Sequence, residues 1–398
     1  MRLSTSNTYA NSLDSLLDRQ TRLAGTQEQM TTGKRVNRAS DDPAAAARAE
    51  RALASERRTV ASQRAVDASN NAMTLTESAL GDAGTLLQSA REALVAAGNA
   101  TYSDAERKGV ADQLQGLRDQ LFAVANRTDG SGQPLFGGQG STQAPFVDMP
   151  GGVQFQGTAG QVQAATSDAL PLTTDGEATW MQARTGNGVF ETRVVASTGT
   201  AVIDPGKVTD PSLLTGSTYR LQFSVVGSTT TFSVLKDGNP TAQTNLPFTP
   251  GQAIQVDGMS ATIKGAPANG DSFELAPSTA DLSVFGALDQ AIAALKTPGR
   301  TATQIAQGNS IALTQLDAVL GQVISGRAQV GALMNRLDSA TERLSALKLS
   351  SQTERSSAED LDMAQAISDF SNQQTGYDAA LKAYSMVQRL SLFNYLNV

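Results

Sequence analysis

A chain of 398 residues exceeds the usual reach of one compact core, so two or more folded regions are expected. It contains neither cysteine nor histidine, which removes disulfides, thiolate chemistry, the commonest general base and the nitrogen and sulfur ligands of ordinary zinc sites. Ser-His-Asp and Cys-His nucleophiles cannot be assembled, no cofactor or metal is expected, and a formal net charge of -7 argues against a broad nucleic-acid footprint.

The opening M-R-L-S-T-S-N-T-Y-A-N-S-L-D has no continuous apolar core of the length a secretory signal peptide needs. Nor does any run of about 18 apolar residues read as a membrane-spanning helix. The expectation is a chain that does not insert in membranes. It is either cytoplasmic or exported by a route that reads no cleavable signal.

In chain order, Leu16, Leu23 and Met30 lie seven apart and predict a first amphipathic helix. The stretch R-V-N-R-A-S-D-D-P-A-A-A-A from Arg35 to Ala47 then reads as a helix restart. Ser40, Asp41 and Asp42 can accept free amide protons, and Pro43 fits the first helical position. A longer heptad series follows: Val66, Met73, Leu80, Leu87 and Leu94, with Ala83, Ala90 and Ala97 three residues after its members. One seam is large and its neighbour small, which permits close helix approach. Gly98-Asn99 ends that helix, and Tyr102-Ser103-Asp104 starts another carrying Val110, Leu114, Leu117 and Leu121.

The centre changes to alternation and turns. Y-R-L-Q-F-S-V-V-G-S-T-T-T-F-S-V-L-K-D-G-N-P predicts two strands around Gly227-Ser228 and an exit turn at Asp237-Gly238. Residues 141–285 hold 6 basic and 12 acidic residues, so nearly all the net negative charge is central. Beyond them Leu316, Val323, Val330, Leu337 and Leu344 repeat the heptad, joined by Leu313, Leu320 and Met334. A final helix after Asp360-Leu361-Asp362 carries Ile367, Phe370, Tyr377, Leu381 and Tyr384, and the chain closes S-L-F-N-Y-L-N-V with Leu392 and Tyr395.

Three regions result: a helical 1–140, an inserted β-rich 141–285 and a helical 286–398 that packs with the first. Burying one apolar stripe does not compensate for ordering the residues that carry it, so the stripes need partners, each other first and then other subunits.

The candidate chemistries are weak. Gly270-Asp271-Ser272 starts like a serine-hydrolase motif but has no histidine to take the proton, so N-G-D-S-F-E-L reads as a turn entering a strand. The carboxylates Asp41-Asp42 and Glu359, Asp360 and Asp362 sit at predicted helix starts, where capping explains them better than glycoside hydrolysis or calcium binding. Arg48, Arg51, Arg57, Arg58 and Arg64 interleave with Glu50 and Glu56, which favours a solvated face or ion pairing between helices or subunits over nucleic-acid binding.

G-K-R-V-N-R-A-S-D-D-P-A-A-A-A (Gly33 to Ala47) resembles the signature near the start of flagellins and their hook-associated relatives. R-S-S-A-E-D-L-D-M-A-Q-A-I (Arg355 to Ile367) and S-L-F-N-Y-L are similar to that family's last helix and closing residues. Pro43-Ala44-Ala45 and M-R-L-S-T depart from filament flagellin toward the junction type, and Arg38 departs from the small residue of the relatives. The resemblance implies an α+β fold: an elongated flagellin-like helical bundle formed by both chain ends, with an inserted β-rich domain facing outward.

It further implies a non-enzymatic structural adaptor of the bacterial flagellum, exported by the flagellar type III apparatus to an extracellular position. Its implied partners are hook-associated protein 1, flagellin, copies of itself in a ring, and an export chaperone before secretion. Expected subunit contacts are Leu16, Leu23 and Met30, the turn residues Lys34, Arg35, Asn37, Asp41 and Asp42, and the last-helix residues Asp360, Asp362, Ile367, Phe370, Tyr377, Leu381, Tyr384, Leu392 and Tyr395. A filament-forming flagellin variant and, remotely, a surface carboxylate hydrolase are the competing readings.

Overall fold

The computed structural model describes residues 5–99, 101–139, 143–164 and 170–389. Its helices are α1 (Thr5–Thr32), α2 (Pro43–Ala97), α3 (Asp104–Ala125), α4 (Gly176–Trp180), α5 (Val284–Lys296), α6 (Ala302–Glu359) and α7 (Met363–Arg389). The strands described lie between Phe146 and Leu282, so the fold is α+β with a central β-rich region. The chain divides into two compact units: residues 1–64 with 340–398, and residues 65–339. Among the described residues no helix is long and apolar enough to cross a membrane.

In the unit of residues 65–339, the large stripe of α2 (Val66, Met73, Leu80, Leu87, Leu94) is at most 1% exposed, and Ala83, Ala90 and Ala97 are fully buried. The matching stripe of α6 is buried too, from Leu316 through Leu337. Ion pairs set the two helices antiparallel: Arg91 meets Asp317 at 2.6 Å, and Arg327 meets Glu77 at 2.6 Å. The second buried row of α6 is Ile305, Ala312 and Val319, whereas Leu313, Leu320 and Met334 are only half-buried. Residues three and four positions from the main seam flank it on opposite sides, and the partner helix, which the sequence does not reveal, selects one flank.

Helix α3 begins with a capping box. Ser103 Oγ accepts from the Glu106 amide, and Glu106 Oε2 accepts from the Ser103 amide at 2.7 Å. It pairs antiparallel with α5, Lys296 meeting Asp112 at 3.7 Å near one end and Phe122 packing edge-on against Phe285 near the other. Between them the buried guanidinium of Arg118 binds Asp148 and Asp289, with Nη2 to Asp148 Oδ1 at 3.0 Å and Nε to Asp289 Oδ1 at 3.1 Å. This ties α3, α5 and the strand Phe146–Met149 together with charge-assisted bonds. Trp180 stacks on Phe285 at 5.9 Å and meets Phe136 edge-on at 5.4 Å, closing an aromatic core beside that network.

The main sheet is antiparallel, in the order Leu246–Pro247, Thr229–Lys236, Tyr219–Val226, Ser272–Pro277, Phe190–Ala196, with Asn239–Pro240 pairing Thr229–Lys236. A smaller sheet places Met259–Lys264 against Ala253–Val256, Val202–Ile203 and Lys207–Val208. The predicted hairpin is present in register, Val226 opposite Thr229, and its exit turn has positive φ at Asp237 (49°) and Gly238 (82°). Tyr219, Leu221, Phe223, Val234, Ile263 and Phe273 form the shared apolar core.

The N-G-D-S-F-E-L stretch is the expected turn into a strand, and Asp271 has a structural task within it. It is 1% exposed and accepts from the amides of Thr198 (2.7 Å), Ala268 (2.8 Å) and Gly199 (3.1 Å). Burial raises its pKa, but the three amides outweigh that and hold the carboxyl below its usual value.

Candidate assembly site at the paired chain ends

In the unit of residues 1–64 and 340–398, α1 stops where Gly33 takes a left-handed backbone (φ 69°), which glycine adopts without a Cβ clash. The turn that follows is bonded to the end of α6. Arg35 N–H donates to the Glu359 carbonyl at 2.7 Å, and Leu361 N–H donates to the Gly33 carbonyl at 3.0 Å. Lys34 Nζ pairs with Glu359 at 3.2 Å, and Arg35 Nη2 donates to the Ala358 carbonyl at 2.9 Å. Two helix-to-helix turns, one from each end of the chain, are thereby clasped together.

Both carboxylates of the Ser-Asp-Asp stretch work inside this clasp. Asp41 Oδ2 accepts from the amides of Asn37 (3.1 Å) and Arg38 (2.8 Å), which fixes the turn. Asp42 Oδ1 accepts from the Ala45 amide at 3.0 Å and so caps α2, while its Oδ2 meets Arg35 at 3.2 Å. The Ala45 amide, followed by the Arg35 side chain, holds the Asp42 carboxyl below its usual value. At the other turn Asp362 Oδ1 caps α7 by accepting from the Ala364 (3.0 Å) and Gln365 (3.2 Å) amides. Asp360 accepts a hydrogen bond from the Ser356 hydroxyl at 2.5 Å, and its backbone bridges to Lys34.

From the clasp, α1 and α7 run back as an antiparallel pair. Thr26 Oγ donates to Gln373 Oε1 at 3.0 Å, and Gly376 leaves room for the Arg19 guanidinium, where a Cβ would come within 2.8 Å. Leu16 is buried against this pairing, while Leu23, Met30, Phe370, Tyr377 and Tyr384 are half-buried. The remaining apolar residues are open to solvent: Ile367 is 54% exposed, Leu381 41% and Leu17 52%. At 100° per residue, Ile367 lies about 60° off the Phe370 seam, so packing α1 against α7 leaves it uncovered.

The expected contact residues therefore fall into two groups. Lys34, Arg35, Asp41, Asp42, Asp360 and Asp362 are engaged within the chain, and the backbone of Asn37 joins them. The apolar residues of α1 and α7 are shared between the helix pair and the solvent. Leu392 and Tyr395 lie outside the described residues. Sequence reasoning missed Glu359 as the acceptor of the clasp, and it missed Leu13 and Leu17, whose four-residue spacing off the heptad seam marks a second apolar stripe.

The α2 arginines are exposed, and Glu56 pairs with Arg355 of α6 at 3.3 Å and accepts from Gln352 at 2.8 Å. The interleaved acid thus serves the contact between α2 and α6, not its arginine neighbours.

Comparison with known proteins agrees with this architecture. Residues 3–141 match the bacterial flagellin N-terminal helical region, residues 313–396 the bacterial flagellin C-terminal helical region, and residues 194–277 the D2-like domain of flagellar hook-associated protein 1. Flagellar hook-associated protein 3 of Escherichia coli (strain K12) is 28% identical over 397 residues, 99% of each chain. The solved structure of Xanthomonas campestris FlgL is 30% identical with a TM-score of 0.69, covering 77% of this chain and 99% of that one. The flagellar junction protein FlgL of Legionella pneumophila is 28% identical with a TM-score of 0.64, covering 70% and 94%. The chain belongs to the flagellin family, in its hook-associated protein 3 (FlgL) branch, and is a structural, non-enzymatic component of the bacterial flagellum.

Proposed function

We propose that this flagellar component is the adaptor that joins the hook to the filament, contacting hook-associated protein 1 on one side and flagellin on the other. The single observation that carries the reading is the contrast within the chain ends. The turns are locked by internal hydrogen bonds, yet Leu17, Ile367 and Leu381 stay exposed on the helices that the turns hold. Apolar residues on a preset helix pair suit helix-to-helix packing with neighbouring subunits.

On this reading residues 1–140 and 286–398 form the assembling body, and residues 141–285 form the region facing solvent. Copies of the chain form a ring at the junction, with the turn Lys34 to Asp42 at a subunit contact. Before assembly the chain leaves the cell through the flagellar export route, held by a chaperone and without cleavage.

The test is a strain lacking the gene, examined for motility and by electron microscopy. Hooks without filaments, with flagellin monomers lost to the medium, are expected. Normal filaments and swimming would overturn the adaptor role. Long filaments formed by the purified chain alone would favour a filament flagellin instead.

A further inference from the structure

The two antiparallel sheets between Phe190 and Pro277 are tied into one body. They share the apolar core around Tyr219, Phe223 and Ile263, Thr192 Oγ1 donates to the Asp204 carbonyl at 2.9 Å, and Asp204 Oδ1 accepts from the Thr262 amide at 2.8 Å. What attaches this body to the helices is slight by comparison.

One attachment is the chain itself. The incoming strand Ala183–Arg184 pairs antiparallel with the outgoing Ala280–Leu282. Beside them the Thr185 amide donates to the Thr279 carbonyl at 2.9 Å, and Ser278 Oγ donates to the Thr185 carbonyl at 2.7 Å. A two-stranded pair is marginally stable by itself, so a neck of this kind is a weak restraint on direction.

The other attachment is Gln307 of α6. Val202–Ile203 is an edge strand of the smaller sheet, paired on one side with Met259–Lys264. On its open side the Ile203 amide donates to Gln307 Oε1 at 2.8 Å, with Ile203 1% and Gln307 8% exposed. Among the described residues this is the one hydrogen bond between residues 190–277 and a helix. Packing does not replace it. A void of about 30 Å³ lies beside the bond, with Gly186, Ile203 and Pro205 on the neck and sheet side and Ile311 and Thr314 on the helix side. Such a gap forfeits the close contacts that would otherwise define the seat.

We propose that Gln307 is a positioning strut: it fixes the direction in which the sheets project from the helical body, and without it they pivot on the neck. The bond suits that task. Both partners are buried, so water does not compete for the Ile203 amide, and tilting the sheets away would strip a buried N–H of its acceptor. The strut is a property of the single chain and does not depend on the adaptor role.

The absence of native cysteine makes the test direct. Spin labels on the full chain at Ser228→Cys, exposed at the hairpin tip, and Thr85→Cys, exposed on α2, report the projection angle by pulsed electron paramagnetic resonance. With Gln307 in place the distance distribution should be a single narrow band. Gln307→Met, which keeps the bulk and removes the acceptor, should lose that band to a broad one. Amide exchange should accelerate at Ile203 in the same variant while the amides of Tyr219–Val226 stay protected. A broad distribution in the parent, or a narrow one at unchanged distance in Gln307→Met, would overturn the proposal. If Gln307→Met does not fold, Gln307→Ala, which leaves room for water at the Ile203 amide, is read in the same way.

Discussion

Arg35 and Asp42 close the first turn on itself, Nη1 to Oδ2 at 3.2 Å, while the same guanidinium holds the Ala358 carbonyl from a position 323 residues distant in the chain. One side chain thus links the cap of α2 to the end of α6. The Ser-Asp-Asp-Pro stretch is both a helix start and half of a clasp.

Asp42→Ala should loosen both. Amide hydrogen exchange should accelerate at residues 33–45 and 358–361 together. Asp42→Asn, which keeps a cap acceptor but loses the charge facing Arg35, should loosen them less. The Asp42 carboxyl is depressed below its usual value of 3.8, so its contribution is fully present above that value and is lost as pH falls through the lower folded value. Exchange measured from pH 6 downward should therefore show the clasp opening only below about pH 4. Asp41→Ala combined with Asp42→Ala should lower stability, because both carboxylates are used inside the chain, and if the turn also meets a neighbouring subunit it should reduce filament attachment by more than that loss of stability accounts for.

Asp271 makes a sharper case because it is buried. In Asp271→Asn an amide NH₂ must face at least one backbone N–H, which costs about 1–3 kcal/mol. The measurement is urea unfolding with the fluorescence of Trp180 or far-UV dichroism as readout. The sign of the pH effect is the same as for Asp42. The folded pKa is lowered, so the parent loses this stabilisation as pH falls below the ordinary carboxylate range, and the variant should lack that part of the acid sensitivity.

The large and small rows of α2 predict a pair of opposite failures. Leu87→Ala should cost about 2–5 kcal/mol by opening a cavity. Ala90→Leu, which adds apolar surface, should also destabilise, by about 1–3 kcal/mol, because the row it joins is fully buried. Urea midpoints at unchanged slope would verify both. A stabilised Ala90→Leu variant would mean that the helices do not approach closely there.

What the sequence made legible was local. The heptad of Val66 to Leu94 shows itself because large apolar side chains seven residues apart fall on one face of a helix, and such a face is buried against another. The helix start at Ser103 and the Gly227-Ser228 hairpin follow from capping and turn chemistry, although the reciprocal bond from Glu106 was not read. The clasp was not legible because Arg35 and Leu361 use main-chain groups, which every residue carries. Nor was the Arg118, Asp148 and Asp289 network, whose members come from three elements and look like ordinary surface charges until the fold buries the arginine. In the candidate assembly site, the heptad residues of α1 and α7 were visible, but their division between helix pair and solvent depends on a pairing that spacing alone does not specify.

That division supports the most direct test of assembly. Leu17, Ile367 and Leu381 are 52%, 54% and 41% exposed, so replacing each by Gln removes little buried surface from the chain itself. Each single variant should stay within about 0.5 kcal/mol of the parent in urea unfolding. If these residues pack against neighbouring subunits, the same substitutions should reduce filament attachment and swimming when the variants replace the parent gene, and the triple variant should approach the null strain. Leu16→Gln is the control, since Leu16 is 8% exposed, and it should lose stability as well as attachment. Unimpaired swimming in the triple variant, with export confirmed by its presence in the medium or on hooks, would remove these residues from the interface.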